Sequence, residues 1–302
     1  MARFLPAVLV VGLLGGSAAA FAVTERLKLE RSPITHTRVS KFVSCESGRR
    51  ADISFKVRHG DRLSLAIVDS DDRVVRALFD SNSVRRGRQK YNWNGRADDG
   101  KCVPDGTYKP QVHLANAHRT IVLPNPIAVD TKAPHIALVR TNLRVVSPDG
   151  DTRHDYLKVF FRTTEPARAV LFANGHRVVK LKSFKAGSLL WGRRNGMPTK
   201  PGLYLLYLRA IDQAGNPGPR TRVFTLRIRF IELARHVIHA LAGGRIVVRV
   251  STDARFYNWR IGSRHGRVHS RRLVLAAGAP GRYKLVLSER GHKARATLVV
   301  AP

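Results

Sequence analysis

From residue 50 onward, apolar and polar positions alternate with a period of two. Ile53, Phe55 and Val57 are separated by polar neighbours, and Leu63, Leu65 and Ile67 repeat the pattern after His59-Gly60-Asp61. Val112 and Leu114 repeat it again further along. Side chains on a strand point alternately to opposite faces, so this spacing predicts half-buried β-strands. Turn dipeptides fall between the runs: Asp99-Gly100, Asp105-Gly106, Asp149-Gly150, Asn174-Gly175 and Asn195-Gly196. Such pairs tolerate positive φ and connect antiparallel strands. No segment after residue 50 reads convincingly as an amphipathic helix. The best one, from Phe230 to Leu241, reads equally well as strand and linker. Many short strands with Gly and Pro turns predict antiparallel sandwiches of about 70 to 110 residues each.

A weak internal repeat supports three such units. Gly106-Thr107-Tyr108, Gly202-Leu203-Tyr204 and Gly281-Arg282-Tyr283 each open an alternating run, and each follows a tryptophan: Trp93, Trp191 or Trp259. The spacing suits one sandwich per repeat rather than a short-period solenoid. Each Trp is expected in its sandwich core, and each Tyr hydroxyl is available to a backbone group. Carbohydrate stacking by the tryptophans is the alternative.

The stretch Trp93-Asn94-Gly95-Arg96-Ala97-Asp98-Asp99-Gly100, followed by Val103-Pro104-Asp105-Gly106-Thr107-Tyr108, resembles the closing hairpin of FlgD-type immunoglobulin-like domains. The resemblance covers about residues 50 to 125 and implies a module of the bacterial envelope. In it Trp93, Gly95, Asp99, Gly100, Pro104, Asp105, Gly106 and Tyr108 form a structural motif, with the Asp-Gly pairs expected to supply positive φ at two tight turns. Ser147-Pro148-Asp149-Gly150-Asp151 with Asp155, and Ala210-Ile211-Asp212-Gln213-Ala214-Gly215-Asn216, resemble the opening and ending of related bacterial sandwich domains. Thr152 and His154 depart from that pattern, which often has Gly and Asn there.

Residues 4–23 carry no charge and lie between Arg3 and the run Thr24, Glu25, Arg26. About twenty apolar residues suffice for a membrane span. Ala20 and Ala22 also suit signal-peptide cleavage. One N-terminal hydrophobic helix, either a cleaved signal or a transmembrane anchor, is therefore expected; a buried helix of the globular part is the third reading. Cys45 and Cys102 are the only cysteines. In an exported chain they are candidates for one disulfide, with two unrelated buried thiols as the alternative.

Charge then changes the picture. The chain has 302 residues and a formal charge of +33, carried by 54 Lys and Arg against 21 Asp and Glu. Residues 131–230 contribute +14 and residues 231–302 contribute +11. An apolar fraction of 43% excludes a disordered basic tail. Arg260, Arg264, Arg267, Arg271 and Arg272, in a segment with Phe256, Tyr257 and Trp259, are candidate contacts to polyanions such as envelope polymers or lipid headgroups. Arginine interleaved with aromatic residues also suits single-stranded nucleic acid, a partner that export disfavours. Period two predicts Tyr257, Trp259 and Ile261 facing the core, with Arg264, Arg267, Arg271 and Arg272 on a loop.

Asp149, Asp151 and Asp155 are weak candidate calcium ligands. Asp98, Asp99 and Asp105 read as turn formers rather than paired catalytic acids. The pairs His236/His239 and His265/His269 have metal-binding spacing only on a helix. There is no G-x-S-x-G, no H-E-x-x-H and no phosphate-cradling Gly loop. No cofactor, catalytic residue or enzyme activity is expected.

The expected organisation is all-β: tandem immunoglobulin-like β-sandwiches behind the hydrophobic helix. The segments are 1–23 signal or anchor, 24–130 FlgD-type domain, 131–230 second Ig-like domain, and 231–302 a third, smaller sandwich. The functional expectation is a non-enzymatic extracytoplasmic scaffold, adhesion or display protein, secreted or anchored by a single span. Two alternatives stand beside it: a polyanion-binding cell-wall protein using the basic face of domains two and three, and a non-catalytic Ig-like arm of an enzyme complex.

Overall fold

The computed structural model describes residues 31–192 and 196–302. The apolar stretch at 4–23, with its expected helix, signal or anchor, lies outside the described residues, as does Asn195 of the Asn195-Gly196 turn. Contacts divide the chain into two compact units, Met1–Thr131 and Lys132–Pro302.

In the first unit, polar–apolar alternation builds β1 (Ile34–Val39), β2 (Phe42–Val43), β3 (Ala51–Val57), β4 (Asp61–Val68), β5 (Val74–Val84), β6 (Gly87–Trp93), β7 (Gly106–Leu114), β8 (Arg119–Val122) and β9 (Ile127–Val129). One sheet has the order β1-β3-β6, the other β2-β9-β7-β4-β5 with β8 on β7. Ile53 and Phe55 of β3 meet Leu63, Leu65 and Ile67 of β4 in one core, all fully buried. Each such side chain contributes roughly 1.5–3 kcal/mol of transfer free energy.

The second unit contains two sandwiches. The first of them uses β10 (Ile136–Thr141), β11 (Val145–Val146), β12 (Leu157–Thr163), β13 (Arg168–Ala173), β14 (His176–Lys180), β15 (Gly187–Trp191), β16 (Gly202–Ile211) and β17 (Phe224–Ile228). Its sheets run β10-β12-β15 and β11-β17-β16-β13-β14. The second uses β18 (Ile231–Leu233), β19 (Val237–Leu241), β20 (Arg245–Thr252), β21 (Tyr257–Ile261), β22 (Arg264–Val268), β23 (Arg272–Ala276), β24 (Gly281–Glu289) and β25 (His292–Ala301). Its sheets run β18-β20-β23 and β19-β25-β24-β21-β22. Each sandwich has its own hydrophobic core. The segment from Phe230 to Leu241 is two strands, β18 and β19, joined by residues 234–236, and no helix occurs among the described residues.

All three sandwiches share one plan. The opening strand is broken: its first part pairs antiparallel in the three-stranded sheet (β1 on β3, β10 on β12, β18 on β20). Its second part crosses to the other sheet and pairs parallel with the last strand (β2 on β9, β11 on β17, β19 on β25). Two facing antiparallel sheets with a split first strand form an immunoglobulin-like sandwich.

The tryptophans do not repeat as evenly. Trp93 ends β6 and Trp191 ends β15, both 1% exposed, and each indole N–H donates to a loop carbonyl, Arg96 at 2.9 Å and Gly196 at 3.2 Å. Trp259 instead sits mid-strand on β21, half-buried over Gly266 of β22. A Cβ at Gly266 would lie 2.8 Å from the Trp259 Nε1. The third sandwich therefore places its Trp on a different strand, filling a gap that glycine leaves open.

Candidate functional site

Three places concentrate the sequence's polar motifs. In the first unit, the hairpin after β6 is a structural device. Its acids bind backbone: Asp98 accepts from the Ala77 N–H at 3.1 Å, Asp99 from Lys101 at 2.9 Å, and Asp105 from both the N–H and the hydroxyl of Thr131 at 2.9 Å. The Lys101 N–H holds the Asp99 carboxyl below the usual carboxylate range. Gly100 has φ +80°, as its Asp-Gly turn requires, whereas Gly106 has no positive φ and simply begins β7. The Asp105-Gly106 pair works through the aspartate's hydrogen bonds instead. Beside this hairpin Cys45 and Cys102 are joined, with a Cα–Cα separation of 5.9 Å. Pro104 supplies a carbonyl to the Tyr108 hydroxyl at 2.9 Å.

The second place is the loop after β11. Asp155 accepts from the Gly150 N–H at 3.0 Å and the Thr152 N–H at 2.6 Å, and Asp149 accepts from Asp151 at 3.1 Å. Asp149, Asp151 and Asp155 each present an oxygen within 4.8 Å of the others. Thr152 and His154 both hold positive φ, +72° and +51°, a region that Gly and Asn adopt more readily, so the loop carries a steric cost, most of all at β-branched Thr152. Two acids of the last sandwich face this loop. Glu289 is 6% exposed, and burial, with the Asp149 carboxyl beside it, pushes its pKa up to about 8. Asp253 accepts from the Ser147 hydroxyl and pairs with His154 Nδ1 at 3.1 Å. Burial and the surrounding carboxylates also raise Asp151.

The third place is a groove of about 990 Å³ on the last sandwich, lined by Arg235, His239, Arg249, Arg271 and Arg272 together with Val247. Arg249 of β20 and Arg272 of β23 are direct cross-strand partners, both exposed. Among the described residues, none of these four guanidiniums has a carboxylate partner. Like charges directly opposite on a sheet repel, so the arrangement favours an anion between them.

The five arginines singled out in the sequence therefore separate. Arg271 and Arg272 line the groove. Arg260 lies exposed on β21 as period two requires, and Arg264 and Arg267 lie on β22 of the same five-stranded sheet rather than on a loop. Arg264 donates to the Ala276 carbonyl at 3.0 Å, and Arg267 covers the Phe256 ring at 4.3 Å. The sequence predicts a loop for Arg264, Arg267, Arg271 and Arg272, but cross-strand pairing of Arg260 with His265 and Asn258 with Arg267 makes the stretch from Tyr257 to Val268 a hairpin, and Arg272 opens β23. Tyr257 and Ile261 are buried as period two requires. Arg235 and Arg249 carry no local motif; only the register between β20 and β23 brings Arg249 opposite Arg272.

No protein-family model matches the chain. The basal-body rod modification protein FlgD of Salmonella typhimurium is 34% identical over 62 residues, which span 20% of this chain and about a quarter (26%) of that protein. Among solved structures, the fibronectin(III)-like modules of Clostridium thermocellum CbhA align with a TM-score of 0.35 and 13% identity, covering 64% of this chain and 93% of theirs. FlgD from P. aeruginosa aligns with a TM-score of 0.25 and 16% identity, covering 37% of this chain and 84% of its own. The chain thus carries a FlgD-like stretch, and the strand order above establishes immunoglobulin-like sandwiches.

Proposed function

We propose that this chain is a non-enzymatic, extracytoplasmic Ig-like scaffold of the bacterial envelope, serving adhesion or display and delivered by its apolar N-terminal segment. One observation carries the reading: the same split-strand sandwich is built three times in tandem, each with its own core. The acids of the FlgD-like hairpin are engaged by backbone N–H groups and by the side chains of Arg76, Lys101 and Thr131 within the same unit, which suits a spacer. The similarity to FlgD covers too little of that protein to bring a flagellar role with it. A disulfide in the first unit suits an oxidising compartment.

Cell fractionation with N-terminal sequencing tests the address. A mature chain starting near Val23 in the medium, or intact Met1 in membranes, is the expected result. A full-length chain soluble in the cytoplasm overturns the proposal.

A second reading rests on the Arg249–Arg272 pair: the groove of the last sandwich grips anionic envelope polymer. Binding that falls steeply with salt, and falls further in Arg249→Gln with Arg272→Gln, supports it. Salt-sensitive binding that this double variant leaves unchanged assigns the affinity to diffuse surface charge and removes the groove from the account.

A further inference from the structure

The third sandwich differs from the other two in how far its opening strand covers the neighbour. β1 pairs along β3 as far as Ile53, and the Ser40 N–H then takes the Asp52 carbonyl. β10 reaches Val159 of β12, and the Asn142 N–H takes the Lys158 carbonyl. β18 pairs with Val250–Thr252 alone, and the Ala234 N–H closes on the Arg249 carbonyl. The chain then crosses to the other sheet as β19. The first half of β20, from Arg245 to Val248, therefore has β23 on one side and, among the described residues, no paired strand on the other.

The bonding pattern shows which groups are left over. The Val250 N–H donates to the Arg271 carbonyl at 2.8 Å, and the Gly244 carbonyl accepts from the Ala277 N–H at 2.8 Å. The N–H and C=O of one strand residue point to the same side and alternate along the strand, so the even-numbered residues of β20 turn to β23. Arg245 and Val247 turn the other way, toward the side that β18 leaves open. The groove lies along this gap, with Ala234 and Ile238 on one side of it and Val247 and Val248 on the other. An unpaired strand edge is a template for a further strand. Charge decides which strand. Arg245 and Arg249 are exposed on one face of β20, with Arg272 opposite Arg249. A second copy of this chain, at +33, would add like charge, whereas an acidic strand would neutralise it.

We infer that the anionic partner of this groove is an extended polypeptide with acidic and apolar residues in alternation, which adds a strand to the open edge of β20. The inference rests on the polyanion reading of the groove and narrows it to one class of partner. Running antiparallel to β20, as β18 does, the added strand exchanges backbone hydrogen bonds with Val247 and Arg245. Its residues opposite those two share their outward face, where carboxylates meet Arg245, Arg249 and Arg272. The residues between them point inward over buried Ile238, where apolar side chains fit.

The test titrates the full chain at low salt, by calorimetry, with the capped peptide Glu-Val-Glu-Val-Glu-Val-Glu-Val. Binding is expected. Methylating the Glu nitrogens should weaken it by on the order of tenfold, because those N–H groups face β20, whereas methylating the Val nitrogens should leave it unchanged. Arg249→Gln with Arg272→Gln should weaken it as well. Equal binding of the two methylated peptides overturns the strand inference and leaves the groove as a seat for charge alone. Binding of inorganic polyphosphate with none of the peptide does the same. If neither ligand binds, or the double variant binds both as wild type does, the groove reading itself falls. Self-association of the chain that the peptide competes away makes a second copy the occupant and overturns the acidic partner.

Discussion

The hydroxyl of Tyr108 donates to the carbonyl oxygen of Pro104, four residues upstream, at 2.9 Å. Tyr204 makes the same bond to Lys200 at 3.0 Å and Tyr283 to Ala279 at 2.9 Å, so each sandwich ties the start of a long strand to the turn before it. In the first unit the ring also meets Trp93 edge-on, with centroids 5.5 Å apart. Tyr108 is 6% exposed, whereas Tyr204 and Tyr283 are more open to water. Tyr108→Phe is expected to cost about 1 kcal/mol, and Tyr283→Phe less, because water replaces an exposed bond more readily. Denaturant unfolding of the two variants checks this; equal losses would mean that burial does not set the strength of the bond.

The Cys45–Cys102 bridge links positions 57 residues apart and lies wholly within the first unit. Replacing both cysteines by serine is expected to destabilise that unit by roughly 2–4 kcal/mol, mostly by freeing its unfolded chain. Unfolding of residues 132–302 should be unchanged. Two transitions followed with and without reductant separate the effects, and a second transition that also moved would contradict the assignment.

Gly95 is required twice over. Its φ is +76°, and an added Cβ would lie 3.3 Å from the Cys45 nitrogen and 3.5 Å from Val43 Cγ2. Gly100, at φ +80°, has open space around it. Gly100→Ala should therefore cost about 1 kcal/mol for backbone strain alone, and Gly95→Ala about 1–3 kcal/mol more as neighbours shift. Thermal unfolding of the pair isolates the packing contribution, and identical midpoints would argue that the loop yields freely around Gly95.

Much of this fold is legible in sequence because its signals are local. Alternation along Ile53, Phe55 and Val57 depends only on neighbours, and the Gly-x-Tyr runs mark strand starts whose tyrosines bond four residues back. Trp259 shows where local reading stops: its place depends on Gly266 across a hairpin, which spacing along one strand does not reveal. The charged sites are harder still. Asp149 is readable as a loop acid, but its neighbour Glu289 arrives from a strand end in another sandwich, and Arg249 meets Arg272 only through β-sheet register. Composition announced the excess of positive charge; pairing between strands decides where it is left without acidic partners.

The same register yields a prediction about stability. Arg249 and Arg272 face each other on an exposed sheet surface, beside Val247 and Val274 at 41% and 42% exposed. Like charges opposite on a sheet destabilise it by roughly 0.2–1 kcal/mol, and salt weakens such exposed repulsion. Arg249→Gln should therefore stabilise the last sandwich slightly at low ionic strength, and the gain should shrink as salt is added. Arg272→Gln should do the same, but the double variant should gain less than the two singles combined, because either substitution already removes the repulsion. A double-mutant cycle in low and high salt measures this coupling directly. An additive double variant would mean that the two guanidiniums avoid each other by swinging apart, in which case the groove offers two separate charges rather than one shared anion seat.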